Sequence, residues 1–368
     1  MAQYDFGNNP QKLDRYRAFW ERRNVERPLV GFTQIGWFPL QGFSATEQWL
    51  DYRYLEPAMV APEHVVPDHV KMIEEGGVIE DDLIRGVGPM QVAVPFIQGI
   101  LGSKMRILPE NILGEEQNTT WEAAMAASIE TDDPWFRAYV DLVSALVDES
   151  DGRFPVSHGA EIGPSDMHAI LKGHFQSIND LIEEPEKSAR LLSHFGEIFV
   201  KLTKEAWKRI PKFHGGYFDA QYSLWAPGPI ARMQEDASAV YSPDIYRSVL
   251  QPVDRYIAQH FPCCFLHLHS TSMFLLEAFL EIHEIKCFEI NNDAAGPPLD
   301  QMIPYFKLVQ QAGRSLIIRG SFTKEELDSL TSALDSRGLF LLVMVQDLSE
   351  IEPLRRVITS NAGEKDRT

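Results

Sequence analysis

CCFLHLHSTS, residues 263–272, opens as an apolar run and closes on two histidines. Alternate side chains of a strand share a face, so His267 and His269 project together at the strand's C-terminal end. The rest of the run is apolar on both faces, the pattern of a strand inside a parallel sheet covered by helices. Further short apolar runs flank it: GGYFDAQY (215–222), CFEINN (287–292), SLIIRGS (315–321) and LFLLVMV (339–345). Helical spacing fills the intervals. SPDIYRSVLQPVDRYIAQHF begins on the start signal Ser242-Pro243, and SFTKEELDSLTSAL offers Thr323 as N-cap with Glu326 three residues on, a capping box.

The first half is less regular. RPLVGFTQIGWFP (27–39) reads as a first strand after the helix QKLDRYRAFWERR, and RFPVSHGAEIGP (153–164) reads as another. The second leads through PSDMHAILKG into the long helical stretch SINDLIEEPEKSARLLSHFGEIFVKLTKEAWKRI. Residues 37–118 are rich in proline, glycine and aromatics and are expected to decorate one end of the fold. With a weaker candidate at GPMQVAVPF (88–96), the count reaches eight strands, which predicts an α/β fold closed as a (β/α)8 TIM barrel. A doubly wound open sheet is the alternative, but no G-x-G-x-x-G follows the first strand. No repeat or linker divides the chain, so a single domain is expected over 1–360, with 361–368 as a disordered tail.

Lys and Arg total 34 against 53 Asp and Glu, a formal charge of -19. Such a surface repels nucleic acid and anionic membrane, so neither is expected as a partner; a small-molecule substrate is. Cys263, Cys264 and Cys287 form no disulfide framework and suit core packing in a reducing compartment. No signal peptide and no run of eighteen apolar residues is present, so the expected location is cytoplasmic.

Barrel chemistry gathers at the C-terminal ends of strands. Reading those ends gives Thr33 and Gln34, Ser157, His158 and Glu161, then His267 with His269, Glu289 with Asn291, Arg319 with Ser321, and Gln346 with Asp347. The 215–222 run would bring Tyr217, Asp219 and Gln221 to one face. Two readings of the histidine pair stay open. His267, His269 and Glu289 would serve as metal ligands, zinc being the expected ion. Otherwise His269 bonds a backbone carbonyl and His267 acts as an acid or base. The aromatics before residue 60, Trp37 among them, line a cavity or belong to the core.

From about residue 213 to 357 the sequence resembles the uroporphyrinogen decarboxylase-like superfamily, and more loosely the resemblance covers most of the chain. It rests on RPLVGF, on GPSDMHAILKG followed by DLIEEPEKSARLL, on QEDASAVYSPDIYRSVLQP, on FLHLHSTS and on RGSFTKEEL. The superfamily contains the decarboxylase and barrel methyltransferases that work with cobalamin or corrinoid proteins. The decarboxylase pattern runs from the first strand into an arginine-rich loop; here that loop is FTQIGWFPLQGF, which argues against uroporphyrinogen as substrate. In the zinc methyltransferases an H-x-C strand end and a late cysteine supply ligands. His267 matches the histidine, His269 replaces the cysteine, and Val345, Gln346 and Asp347 stand where the late cysteine would be.

The resemblance implies a methyltransferase between a small O-, N- or S-methylated compound and a cobalamin, corrinoid or folate-type acceptor. His267 is then catalytic or a ligand, and Asp219, Asp236 and Glu289 orient the substrate. Gln34, Trp37, His158, Tyr217, Gln221, Asn291 and Arg319 would line its site. No D-x-H-x-x-G stretch of the cobalamin-binding type occurs in the chain, so the corrinoid would come free or on a separate corrinoid protein. A homodimer is a further family implication. The rivals are a metal-free decarboxylase or lyase, with Arg319 and Arg232 holding a carboxylate, and a binding protein that has lost its chemistry.

Overall fold

The computed structural model describes residues 5–34, 43–109, 111–159 and 161–365. Six strands form one parallel sheet: β1 (Leu29–Gln34), β2 (Ile230–Gln234), β3 (Cys263–Leu268), β4 (Cys287–Asn291), β5 (Ser315–Gly320) and β6 (Leu339–Val345). Their spatial order is β1-β6-β5-β4-β3-β2. Neighbours in sequence are therefore neighbours in space from β2 to β6, and β6 then meets β1. A doubly wound sheet reverses direction about its first strand; this one does not. The fold is α/β.

Burial along the strands follows period two. Cys263 and Phe265 of β3, Cys287 of β4, Ile317 of β5 and Phe340 and Leu342 of β6 join one buried cluster, together with Tyr16, Trp225 and Leu83. The alternate residues Cys264, Leu266, Phe288, Ile290, Leu316, Ile318, Leu341 and Val343 join a second, larger one with the helices. The inner face thus starts apolar at each strand's N-terminal end. It turns polar toward the C-terminal end, where the same face continues into Arg232, Gln234, His267, Glu289, Asn291 and Arg319. A fully buried Leu or Phe contributes roughly 1.5–3 kcal/mol, so the apolar layer anchors the polar one above it.

Among the described residues the ladder does not continue from β1 to β2. In that interval Asp82 N donates to Val30 O (2.9 Å), Val87 N to Pro155 O (3.0 Å) and Ser157 N to Val87 O (2.7 Å), leaving one isolated parallel bridge, Val87↔Val156. Six strands form a ladder where eight were expected. Two expected strands resolve differently. Residues 88–96 hold the 3-10 turn Pro89–Val92 and the start of the helix Phe96–Ile100, since two prolines remove donors that a ladder needs. Residues 153–164 contribute only the bridge at Val156.

The run GGYFDAQY is also corrected. It supplies Tyr217–Asp219, one arm of an antiparallel hairpin with Leu224–Ala226, and Gln221 lies in the turn. The sheet strand there is Ile230–Gln234, hidden in sequence by the prolines of APGPIARMQ.

Helix signals fare better. Thr323 Oγ1 accepts from Glu326 N (3.1 Å) while Thr323 N donates to Glu326 Oε2 (2.7 Å), closing the expected capping box on Lys324–Ala333. The long stretch after residue 173 divides at Pro185 into His174–Glu183 and Pro185–Trp207. The segment from Ser242 becomes Pro243–Ile245, a π turn Tyr246–Leu250 and Gln251–His260; Pro252, which has no N–H to donate, stands just past the π turn. The final helix, Ile351–Lys365, runs through the boundary expected after residue 360.

Residues 43–118 do more than decorate. Their small sheet pairs Tyr54–Leu55, Met105–Ile107 and Ile112–Gly114. Beyond the helix Pro62–Gly77, two aspartates cap the free edge of β1. Val30 N donates to Asp82 Oδ2 (2.9 Å) and Phe32 N to Asp81 Oδ2 (3.0 Å), so carboxylates accept what a neighbouring strand would otherwise accept.

Candidate active site

The polar inner face converges at the ends of β2, β3 and β4. His267 is the last inner-facing residue of β3, and its side chain is 5% exposed; Glu289, its register partner on β4, is fully buried. Their contact is a hydrogen bond from His267 Nδ1 to Glu289 Oε2. Tyr222, at the hairpin turn, brings its hydroxyl to 2.9 Å from the same nitrogen. A carboxylate facing Nδ1 keeps the proton there and leaves the Nε2 lone pair free.

His269 repeats the arrangement one step further out. Its Nδ1 donates to Asp293 Oδ1 (3.0 Å), and Asp293 is itself fixed by Ser270 N and Ser270 Oγ, both at 2.8 Å from Oδ2. Burial lowers the His269 pKa, but the hydrogen bond to Asp293 and the charges of Asp236, Asp293 and Glu289 outweigh it, and the net shift is upward. Asp293 moves downward: burial opposes ionisation, and the bonds from His269 and Ser270 overcome it.

The two Nε2 atoms face each other. His267 Nε2 and His269 Nε2 lie 3.4 Å apart, and Asp236 Oδ2 stands 3.9 Å from His269 Nε2. Ligand atoms of all three residues fall within 4.8 Å of one another. Two nitrogens bound to one tetrahedral zinc at about 2.0–2.1 Å would be separated by roughly 3.3–3.4 Å. The spacing of the histidines fits that geometry without rearrangement. A two-nitrogen, one-oxygen set is compatible with zinc and other borderline divalent ions. The side chains of His269 and Asp236 are 40% and 37% exposed, so the point of convergence opens outward.

Asp236 is placed by backbone contacts. Its own N–H and that of Ala237 donate to the half-buried Asp166 carboxylate, at 3.2 and 3.0 Å. Burial, with the nearby Asp236 charge, pushes Asp166 up to about 7. The Gln234 side chain donates to Asp236 Oδ2.

Of the three residues expected as ligands, His267 and His269 bring their Nε2 atoms together and Glu289 does not share that point. Glu289 reaches His267 from the Nδ1 side, away from the point where the Nε2 atoms converge, and Asp236 occupies the third position there. Asp236 and His267 thus lie together, while Asp219 is held in the hairpin turn, accepting from Tyr222 N at 3.0 Å; burial raises its pKa. Asn291 Oδ1 accepts from Arg319 (3.2 Å), and the Gln34 amide donates to Gln346 O (3.2 Å) on the far side of the sheet. Tyr217 packs edge-on against Trp207, whose indole bonds Ile230 O at the start of β2. His158 is fully buried, 3.9 Å from Glu161 Oε1. Trp37 lies outside the described residues. The three cysteines are buried and free, with adjacent Cys263 and Cys264 on opposite faces.

Sequence reasoning missed Asp293, Tyr222 and Asp166. Asp293 had a legible signal, since it follows Asn291 by one strand repeat in EINND. Tyr222 reaches His267 only because the hairpin folds back, and nothing local announces that.

No family model matches the chain, and no curated protein does. Among solved structures the fold is similar to that of a methyltransferase from Methanosarcina mazei, with a TM-score of 0.64 and 12% identity over 97% of this chain and 99% of that one. At that identity the likeness establishes a shared fold along essentially the whole length of both chains. No helix among the described residues is long and apolar enough to cross a membrane.

Proposed function

We propose that this chain is a methyltransferase of the uroporphyrinogen decarboxylase-like kind. It would move a methyl group between a small methylated compound and a cobalamin, corrinoid or folate-type acceptor. The observation that carries this reading is the convergence of His267 Nε2, His269 Nε2 and Asp236, each histidine held by a carboxylate at its other nitrogen. Carboxylate–histidine pairs of this kind fix ring orientation and raise ligand basicity at metal centres. The whole-chain likeness to a methyltransferase structure supports the choice among barrel chemistries.

His267, His269 and Asp236 would hold a zinc ion, with Glu289 and Asp293 as their supports. Bound there, zinc supplies Lewis acidity toward the oxygen, nitrogen or sulfur that gains or loses the methyl group. The protein's own share is alignment. Methyl transfer is an in-line displacement, and its rate depends on holding nucleophile, methyl carbon and leaving atom on one axis. Buried Glu289 and Tyr222 prevent His267 from turning. Asp166 fixes the turn that carries Asp236, and the outward opening at His269 leaves room for an acceptor delivered free or by a separate corrinoid protein.

The test is methylation of cob(I)alamin by the purified zinc-loaded protein, followed by the change in corrin absorbance across a panel of methoxy, methylamine and methylthio compounds. Transfer from one class, lost by about a hundredfold or more in His267→Ala, is expected. Turnover that persists unchanged in His267→Ala would overturn the assignment.

A further inference from the structure

Beside the metal-ligating cluster, and joined to it through Gln234, lies a cavity of about 350 Å³. Its walls are largely apolar, with Met90, Val94, Leu113 and Ile162 among them, and Arg232 opens onto it. Arg232 is 4% exposed. Among the described residues its guanidinium makes one hydrogen bond, a long one of 3.5 Å to Glu161 O, and its Nε has no partner. No carboxylate of the described residues pairs with it within 4.0 Å.

Asp219 attracts Arg232 electrostatically without reaching ion-pair distance and accepts from Tyr222 N (3.0 Å), while Glu161 accepts from Tyr139 (3.2 Å). Gln221, on the same wall, has a buried Oε1 that also lacks a partner.

A guanidinium remains charged throughout the physiological range, and burying one unpaired is costly. Its planar fork matches the two oxygens of a carboxylate. Arg319, by contrast, is tied to Asn291. From the unspent fork, the apolar walls and the shared Gln234 we infer that Arg232 binds the carboxylate of an acid with an apolar body, whose far end reaches the Asp236–His267–His269 cluster. The methyl donor is then a methylated organic acid rather than a neutral ether, amine or thioether. This rests on the methyl-transfer reading only in calling the bound acid a donor.

The test is calorimetric binding of 4-methoxybenzoate and of its neutral counterpart 4-methoxybenzamide to the full chain, with metal content measured on the same samples. The acid is expected to bind about tenfold or more tighter than the amide, a preference abolished in Arg232→Met. Should Arg232→Met fail to fold, Arg232→Lys carries the test: it keeps the charge, loses the fork and is expected to lose most of the preference. Equal binding of the two probes, binding of neither at millimolar concentration, or a preference that survives Arg232 replacement would overturn the inference. A preserved acid preference in a protein that holds no metal would leave the carboxylate site standing and count against the metal centre. Metal without acid preference would do the reverse.

Discussion

At His267 the position of a single proton decides which chemistry is open. With the proton on Nδ1, shared toward Glu289, the ring presents a lone pair at Nε2, 3.4 Å from the matching atom of His269. Glu289 is fully buried, so its charge acts through a poorly screened environment and holds that tautomer firmly. Glu289→Gln keeps the shape and removes the charge. It is expected to weaken zinc affinity by about 10- to 100-fold while leaving the three ligand atoms in place, as measured by competition with a chromogenic chelator. Unchanged affinity would show that Glu289 contributes nothing to ligand orientation. The raised pKa of His269 works against the ion in the same site, since its proton competes for Nε2 when Nδ1 is already protonated.

The elements explain why some of this was legible and some not. Strands β3 to β6 announce themselves because both faces are buried, and unbroken apolar runs survive in the sequence. The histidine pair is legible for the same reason, as polar residues interrupting the inner face at a strand end. β2 was not, because Pro227 and Pro229 precede a five-residue strand that contains Arg232 and Gln234. The edge of β1 was equally hidden. There Asp81 and Asp82 take the place of strand neighbours, and no local pattern distinguishes such aspartates from solvated ones. Asp82 also pairs with Arg27 (2.6 and 3.0 Å) and with Arg15 Nε (3.0 Å). Asp82→Ala would leave Val30 N without its acceptor and remove the carboxylate partner of Arg27 and Arg15, which keep hydrogen bonds to the Pro28 carbonyl. A loss of roughly 3 kcal/mol in stability by urea denaturation is expected. A loss under about 0.5 kcal/mol, the range of ordinary surface substitutions, would mean that the edge is held by other contacts.

At the scale of the molecule, a chain with formal charge -19 keeps an arginine buried beside a cluster of histidines and carboxylates. The acidic exterior offers no general attraction for an anion, so selection of an acid falls to that one interior fork. The fold supports the division of labour: an apolar layer fills the lower inner face, and the polar layer above it is rigid because the strands below are packed. The methyl-transfer proposal depends on the candidate metal site at Asp236, His267 and His269. The most direct test is elemental analysis of the purified protein beside Asp236→Ala and His267→Ala, with circular dichroism confirming that each variant is folded. The account predicts about one zinc per chain in the wild type and little in either variant. Full zinc in both variants, or none in a wild type refolded with excess zinc, would contradict it.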